Sequence, residues 1–126
     1  MANVLFIEPD KGLGGTYVQA FEHAGHTVHM AATAEEAIMT VDEQRPDVVV
    51  MELQLPGHNG VAFLHEFRSY NDWSDIPVII NTYITPAKMD QARAALKTDL
   101  GVTVIMYKPR TTLQRLISTV NEQVRA

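Results

Sequence analysis

Four polar side chains stand where apolar runs of this chain stop. Glu8 follows Val4-Leu5-Phe6-Ile7, Glu52 follows Val48-Val49-Val50-Met51, Thr82 comes just after the run 76–80, and Lys108 follows the run 102–107. Short apolar runs rich in β-branched residues read as buried strands. The four groups therefore lie at strand ends, with Asp10 two residues beyond Glu8. If those strands are neighbours, acids, a hydroxyl and an amine converge. Carboxylates hold divalent cations, and a threonine and a lysine contact phosphoryl oxygens, so the set suits phosphoryl chemistry.

The elements that must position these groups follow from periodicity. Five runs, 4–7, 27–31, 48–51, 76–80 and 102–107, alternate with longer segments of helical spacing. Ala34, Ala37, Ile38 and Val41 fall at i, i+3, i+4, i+7, and Leu113, Leu116, Ile117, Val120 and Val124 repeat the stripe. Helices are predicted over 14–24, 33–44, 60–70, 85–98 and 111–124. Thr33 with Glu36, Thr85 before Pro86, and Thr111 or Thr112 near Gln114 supply start signals, and Gly25 a stop. Five β-α units imply a mostly parallel sheet with right-handed crossovers and helices on both faces. Ligands of such sheets bind at the carboxyl ends of the strands, near the topological switch point.

Composition sets the bounds. The chain has 126 residues, 46% of them hydrophobic, which is the length and core of one domain spanning 1–126. It has no cysteine, which excludes disulfides and thiolate metal sites. No stretch approaches the roughly 20 apolar residues of a membrane span, and no basic segment precedes the first apolar run, so the expectation is a soluble, cytoplasmic protein. The net charge of −5 is uneven. Residues 1–87 carry 12 acids against Lys11, Arg45 and Arg68, whereas residues 88–126 carry seven bases against Asp90, Asp99 and Glu122. This argues against nucleic acid as the main ligand and leaves the basic third for an acidic partner protein.

Four segments carry a resemblance: Val4-Leu-Phe-Ile-Glu-Pro-Asp10, Pro46-Asp-Val-Val-Val-Met-Glu-Leu-Gln-Leu-Pro-Gly57 with Asn59-Gly60, Ile76-Pro-Val-Ile-Ile-Asn-Thr82, and Tyr107-Lys-Pro109. In order and spacing, the chain resembles the receiver domain of two-component response regulators. The resemblance implies an α/β, flavodoxin-like (βα)5 three-layer sandwich with a parallel sheet in the order 2-1-3-4-5. It implies a role in phosphorelay signalling, not an enzyme's activity of its own. In the family an aspartate takes the phosphoryl group from a histidine kinase. That position is Glu52 here, with Thr82 and Lys108 in the phosphoryl pocket. Mg2+ would be held by Glu8, Asp10, Glu52 and the backbone carbonyl of Gln54. The fourth helix, fifth strand and fifth helix form the family's output or homodimer face, here with Arg93, Lys97, Ile105, Arg110 and Arg115. With no effector segment in these 126 residues, the expected output is contact with a histidine kinase or a downstream effector.

The departures change the expectation. The second acid of the family's pair aligns with Pro9, and Asp10 lies one residue late, so Mg2+ should bind weakly and no cofactor should be required. Glu52 is one methylene longer than the family's acceptor, and a misplacement near 1 Å costs on the order of 100-fold in rate. Tyr83 follows Thr82 where the family keeps a small residue, and Ile105 replaces a switch aromatic. The Glu52 carboxylate reaches toward Lys108 and Thr82, the contacts that report phosphorylation. The expectation is an atypical receiver acting by protein-protein contact, its phosphorylation impaired or mimicked. Two alternatives stand beside it: a working phosphoacceptor, and a nucleotide-binding protein using the glycine-rich turn Lys11-Gly-Leu-Gly-Gly-Thr16. That turn lacks the lysine and third glycine of phosphate-binding patterns, having Gly15 and Tyr17 there. His23, His26 and His29 have no metal partner set and read as surface residues. His58, in the loop beside the site, offers a pH effect on local charge, and Trp73 reads as loop packing.

Overall fold

The structure, a computed structural model, describes residues 1–125; the side chain of His58, with the pH effect expected of it, lies outside the described residues. In chain order the main elements are β1 (Asn3–Ile7), α1 (Lys11–His23), β2 (Thr27–Ala31), α2 (Ala34–Glu43) and β3 (Val48–Met51). There follow α3 (Gly60–Ser69), β4 (Val78–Thr82), α4 (Pro86–Thr98), β5 (Val102–Tyr107) and α5 (Leu113–Arg125). A small antiparallel hairpin, Gln54–Leu55 with His58–Asn59, leads from β3 into α3. The main sheet is parallel and ordered β2-β1-β3-β4-β5, the flavodoxin-like order expected.

Strand side chains alternate between two cores. Leu5, Ile7, Val49, Met51, Val78 and Ile80 pack under α2, α3 and α4 with Phe63, Phe67 and Leu96. Val4, Phe6, Val48, Val50 and Ile79 pack under α1 and α5 with Tyr17, Phe21, Leu116 and Val120. This two-sided burial is why the strands read as unbroken apolar runs. The start signals operate as expected: Thr33 accepts from the Glu36 N–H, Thr85 from Lys88 and Thr112 from Arg115. Gly25 follows α1 at φ +95°, the left-handed conformation of a helix stop.

Three expectations are corrected. Helix α1 begins at Lys11, not near residue 14, because Asp10 accepts from the Leu13 N–H at 3.0 Å and caps it. The glycine-rich segment is therefore the first turns of a helix and not a phosphate loop. Gly14 packs where a Cβ would come within 2.6 Å of the Met30 methyl, so that glycine serves the close approach of α1 to β2. Strand β4 begins at Val78 and runs through Thr82, two residues later than predicted. Ile76 closes the preceding turn by donating to the Trp73 carbonyl at 3.3 Å, and Pro77 has no N–H for the ladder. His26 is buried rather than on the surface: its Nδ1 accepts from the Ala2 N–H at 3.2 Å and its Nε2 lies 2.9 Å from Asn121 Oδ1. Trp73 packs on Phe67 and Tyr70 as expected of a loop anchor.

Candidate functional site

Four strands and the turns after them bring the predicted residues together. Glu8 continues β1 and Glu52 continues β3, neighbours across the switch point of the sheet; their N–H groups donate to Ala31 and Ile7. Thr82 ends β4, and Lys108 follows β5 as the first residue of a single 3-10 turn. All four are buried; Glu52 is 2% exposed and Glu8 4%. The amine of Lys108 lies 2.7 Å from Glu8 Oε1 and 2.9 Å from Glu52 Oε1.

Every lone-pair direction of the Glu52 carboxylate is used. Oε1 accepts from Lys108 and from the Tyr83 N–H at 3.1 Å; Oε2 accepts from the Thr82 hydroxyl and from the Gln54 N–H at 3.0 Å. Burial alone pushes this carboxyl up, but the bonds from Thr82, Gln54, Lys108 and Tyr83 outweigh it and hold its pKa below the ordinary value of 4.5. Glu52 is thus an ion at neutral pH, gripped by one amine, one hydroxyl and two backbone amides. The backbone donors had no side-chain signature in the sequence. Tyr83 is half exposed, and its ring centroid lies 4.5 Å from the Lys108 amine, a cation-π contact on that charge. Beneath, Asn81 Nδ2 donates to the Tyr17 hydroxyl at 3.1 Å. Burial first, and then the charge of Glu8, raise the Tyr17 pKa and keep that phenol neutral.

The residues present do not fit a magnesium ion. Such an ion needs octahedral oxygen ligands, yet the Lys108 ammonium fills the space between Glu8 and Glu52. Asp10 turns its Oδ1 to the cap of α1, and its N–H donates to Glu8 Oε2 at 3.1 Å. Among the described residues no three acids or histidines gather as a metal cluster. Gln54 contributes its N–H to Glu52.

The predicted output residues lie apart from the cluster. Arg93 and Lys97 are on α4, Arg93 3.6 Å from Asp90. Ile105 on β5 is half-buried beneath α4, and Arg93 and Ile105 line one small cavity. Arg110 stands 5.9 Å from the Tyr107 ring, and Arg115 is exposed in the first turn of α5.

A family model described as the response regulator receiver domain matches residues 4–121. The chain belongs to the response regulator receiver family. Among curated relatives, this receiver is 27% identical over 109 residues to the KDP operon transcriptional regulatory protein KdpE of Escherichia coli K12. That match takes in 86% of this chain and 45% of KdpE. The receiver thus spans about half the length of the curated relatives it matches first. Among solved structures, the non-phosphorylated HemR receiver domain of Leptospira biflexa superposes with a TM-score of 0.85 at 25% identity, over 100% of this chain and 96% of that one. The receiver domain of a sensor histidine kinase from Pseudomonas aeruginosa, with a magnesium ion coordinated in its active-site cleft, gives 0.85 at 18% identity. That superposition covers 99% and 98% of the two chains and shows the fold alone. No described helix is long and apolar enough to cross a membrane.

Proposed function

We propose that this receiver signals by protein-protein contact and without a phosphoryl group, with Glu52 as a built-in anion. The observation that carries the reading is the saturated carboxylate: Lys108 and Thr82 already hold Glu52 at the strand ends. A nucleophile must offer a free lone pair to the incoming phosphorus, and Glu52 has none to spare. The Lys108 ammonium supplies the positive charge that a divalent cation supplies in a magnesium-binding cleft, so no cofactor is needed. The partner, whether a histidine kinase or a downstream effector, docks on the basic α4-β5-α5 face through Arg93, Lys97, Arg110 and Arg115, the surface that would also serve a homodimer.

The test is phosphodonor and metal response. Incubation with acetyl phosphate and Mg2+ should leave the chain unlabelled, and beryllofluoride with Mg2+ should leave the amide resonances of Gln54, Tyr83 and Lys108 unmoved. Glu52→Asp should also stay largely unlabelled, because Pro9 still withholds the second acid. Saturable shifts at these amides in the natural chain would overturn the proposal.

A further inference from the structure

The seam between α2 and α3 is an exposed apolar groove, lined by none of the basic residues of the α4-β5-α5 face. Two cavities, about 290 and 350 Å³, lie along it and share Ile38 and Met39. One opens at the first turns of the helices beside Ala62, the other at their last turns beside Tyr70 and Trp73. Met39 is 63% exposed and Tyr70 46%, among the most exposed large hydrophobic side chains of the receiver. The rim is acidic throughout: Glu35 and Glu66 border one cavity, Asp42 and Asp72 the other. From residue 34 to 67 the sequence holds seven acids, five of them on α2 and α3, and its sole Lys or Arg is Arg45. Arg45 is drawn off to Asp75 at 2.7 Å and to the Asp72 carbonyl.

We infer that this groove receives a basic amphipathic helix of a partner protein. Each wall is a helix of 10 residues, roughly 15 Å long, enough to seat about three turns laid along the seam. An apolar stripe at i, i+3 or i+4, and i+7 settles on Ile38, Met39 and Tyr70, and flanking lysines or arginines meet the acidic rim on both sides. Met39, flexible and polarisable, moulds to the incoming side chains. The acidic rim repels nucleic acid and anionic lipid. A second copy of this chain is a poor occupant, since the apolar stripe of its own α5 is packed against the sheet through Leu116 and Val120.

Trp73, the chain's single tryptophan, lines the groove and reports on its occupancy. The probe is a synthetic helical peptide of about four turns patterned in leucine and lysine, beside a matched peptide with glutamate for lysine. The lysine peptide should change Trp73 emission saturably, with amide shifts confined to α2, α3 and the turn after α3. Met39→Glu, or Asp42→Lys with Asp72→Lys, should weaken it by about 10-fold or more, and these exposed positions leave the melting temperature unchanged. The glutamate peptide should give no change. Shifts centred on another face, affinity indifferent to Met39→Glu, or self-association in sedimentation that Met39→Glu abolishes would each overturn the assignment.

Discussion

Lys108 and Arg68 are both cations drawn out of bulk water, but they are settled by different partners. Lys108 lies between two carboxylates, 2.7 Å from Glu8 and 2.9 Å from Glu52. Arg68 spends its guanidinium on carbonyls: Leu100 at 2.8 Å, Trp73 at 2.9 Å, Gly101 at 3.1 Å and Ser74 at 3.2 Å. The planar fork of an arginine suits several fixed acceptors at once, and here it staples the end of α3 to the turn after it and to the entry of β5. Burial lowers the Arg68 pKa while the charge of Asp75 opposes the shift. A perturbed ion is therefore not in itself a site. Carbonyls cannot titrate, so the Arg68 clasp is fixed, whereas the Lys108 cluster joins three ionisable groups from three parts of the sheet and changes when one of them does.

Removing each cation should break the two regions differently. Lys108→Met leaves Glu8 and Glu52 facing each other in a dry site, at a cost of about 3–5 kcal/mol near neutral pH. Two like charges facing each other repel, and acid relieves that repulsion, so the variant should regain part of its stability as pH falls from 7 to 5. Arg68→Met should cost less, about 2–3 kcal/mol, with little pH dependence over that range, because the orphaned groups are carbonyls. Urea denaturation of both variants at several pH values checks this, and identical profiles would erase the distinction.

A finer cut tests Glu52 alone. Its folded-state pKa is depressed, so its stabilisation is fully present above the ordinary value of 4.5 and is lost as pH falls through the lower, folded value. Glu52→Gln removes the charge but keeps an oxygen for Thr82. It should cost about 1–3 kcal/mol at pH 7 and flatten part of the loss of stability between pH 5 and 3. Arg68→Met should retain that acid limb. Denaturation curves across that range for the natural chain and both variants decide it.

How much of this was legible in the sequence depended on whether a feature shows in side-chain identity. The strands and their polar ends were, because two-sided burial demands β-branched runs and a carboxylate after Val-Val-Val-Met has no place in a core. The pairing of Glu52 with Lys108 and Thr82 was foreseeable from type and reach. The donors from Gln54 and Tyr83 were not, since any residue but proline has an N–H and only the turn aims it. Likewise, nothing in the letters says that Arg68 faces four carbonyls or that His26 is buried; both depend on segments remote in sequence, Leu100 and Gly101 for Arg68, Ala2 and Asn121 for His26. The glycine pattern of residues 11–16 was ambiguous for a related reason: glycine marks a phosphate loop and a crowded helix face alike, and the neighbour that decides, Met30, lies on β2.

Asp10 separates the two kinds of settlement most finely. By type it belongs with Glu8 and Glu52, yet its carboxylate serves a backbone N–H, as Arg68 serves backbone carbonyls. As a helix cap it is worth about 1 kcal/mol. Asp10→Ala should cost that much in stability, Asp10→Ser should restore most of it, and neither should move the Glu52 and Lys108 resonances. A cluster acid would behave the other way: serine, which cannot carry its charge, would fail to replace it, and the strand-end resonances would move. Restoration by serine with those resonances unmoved assigns Asp10 to the helix and leaves the buried charge at the strand ends to Glu8, Glu52 and Lys108.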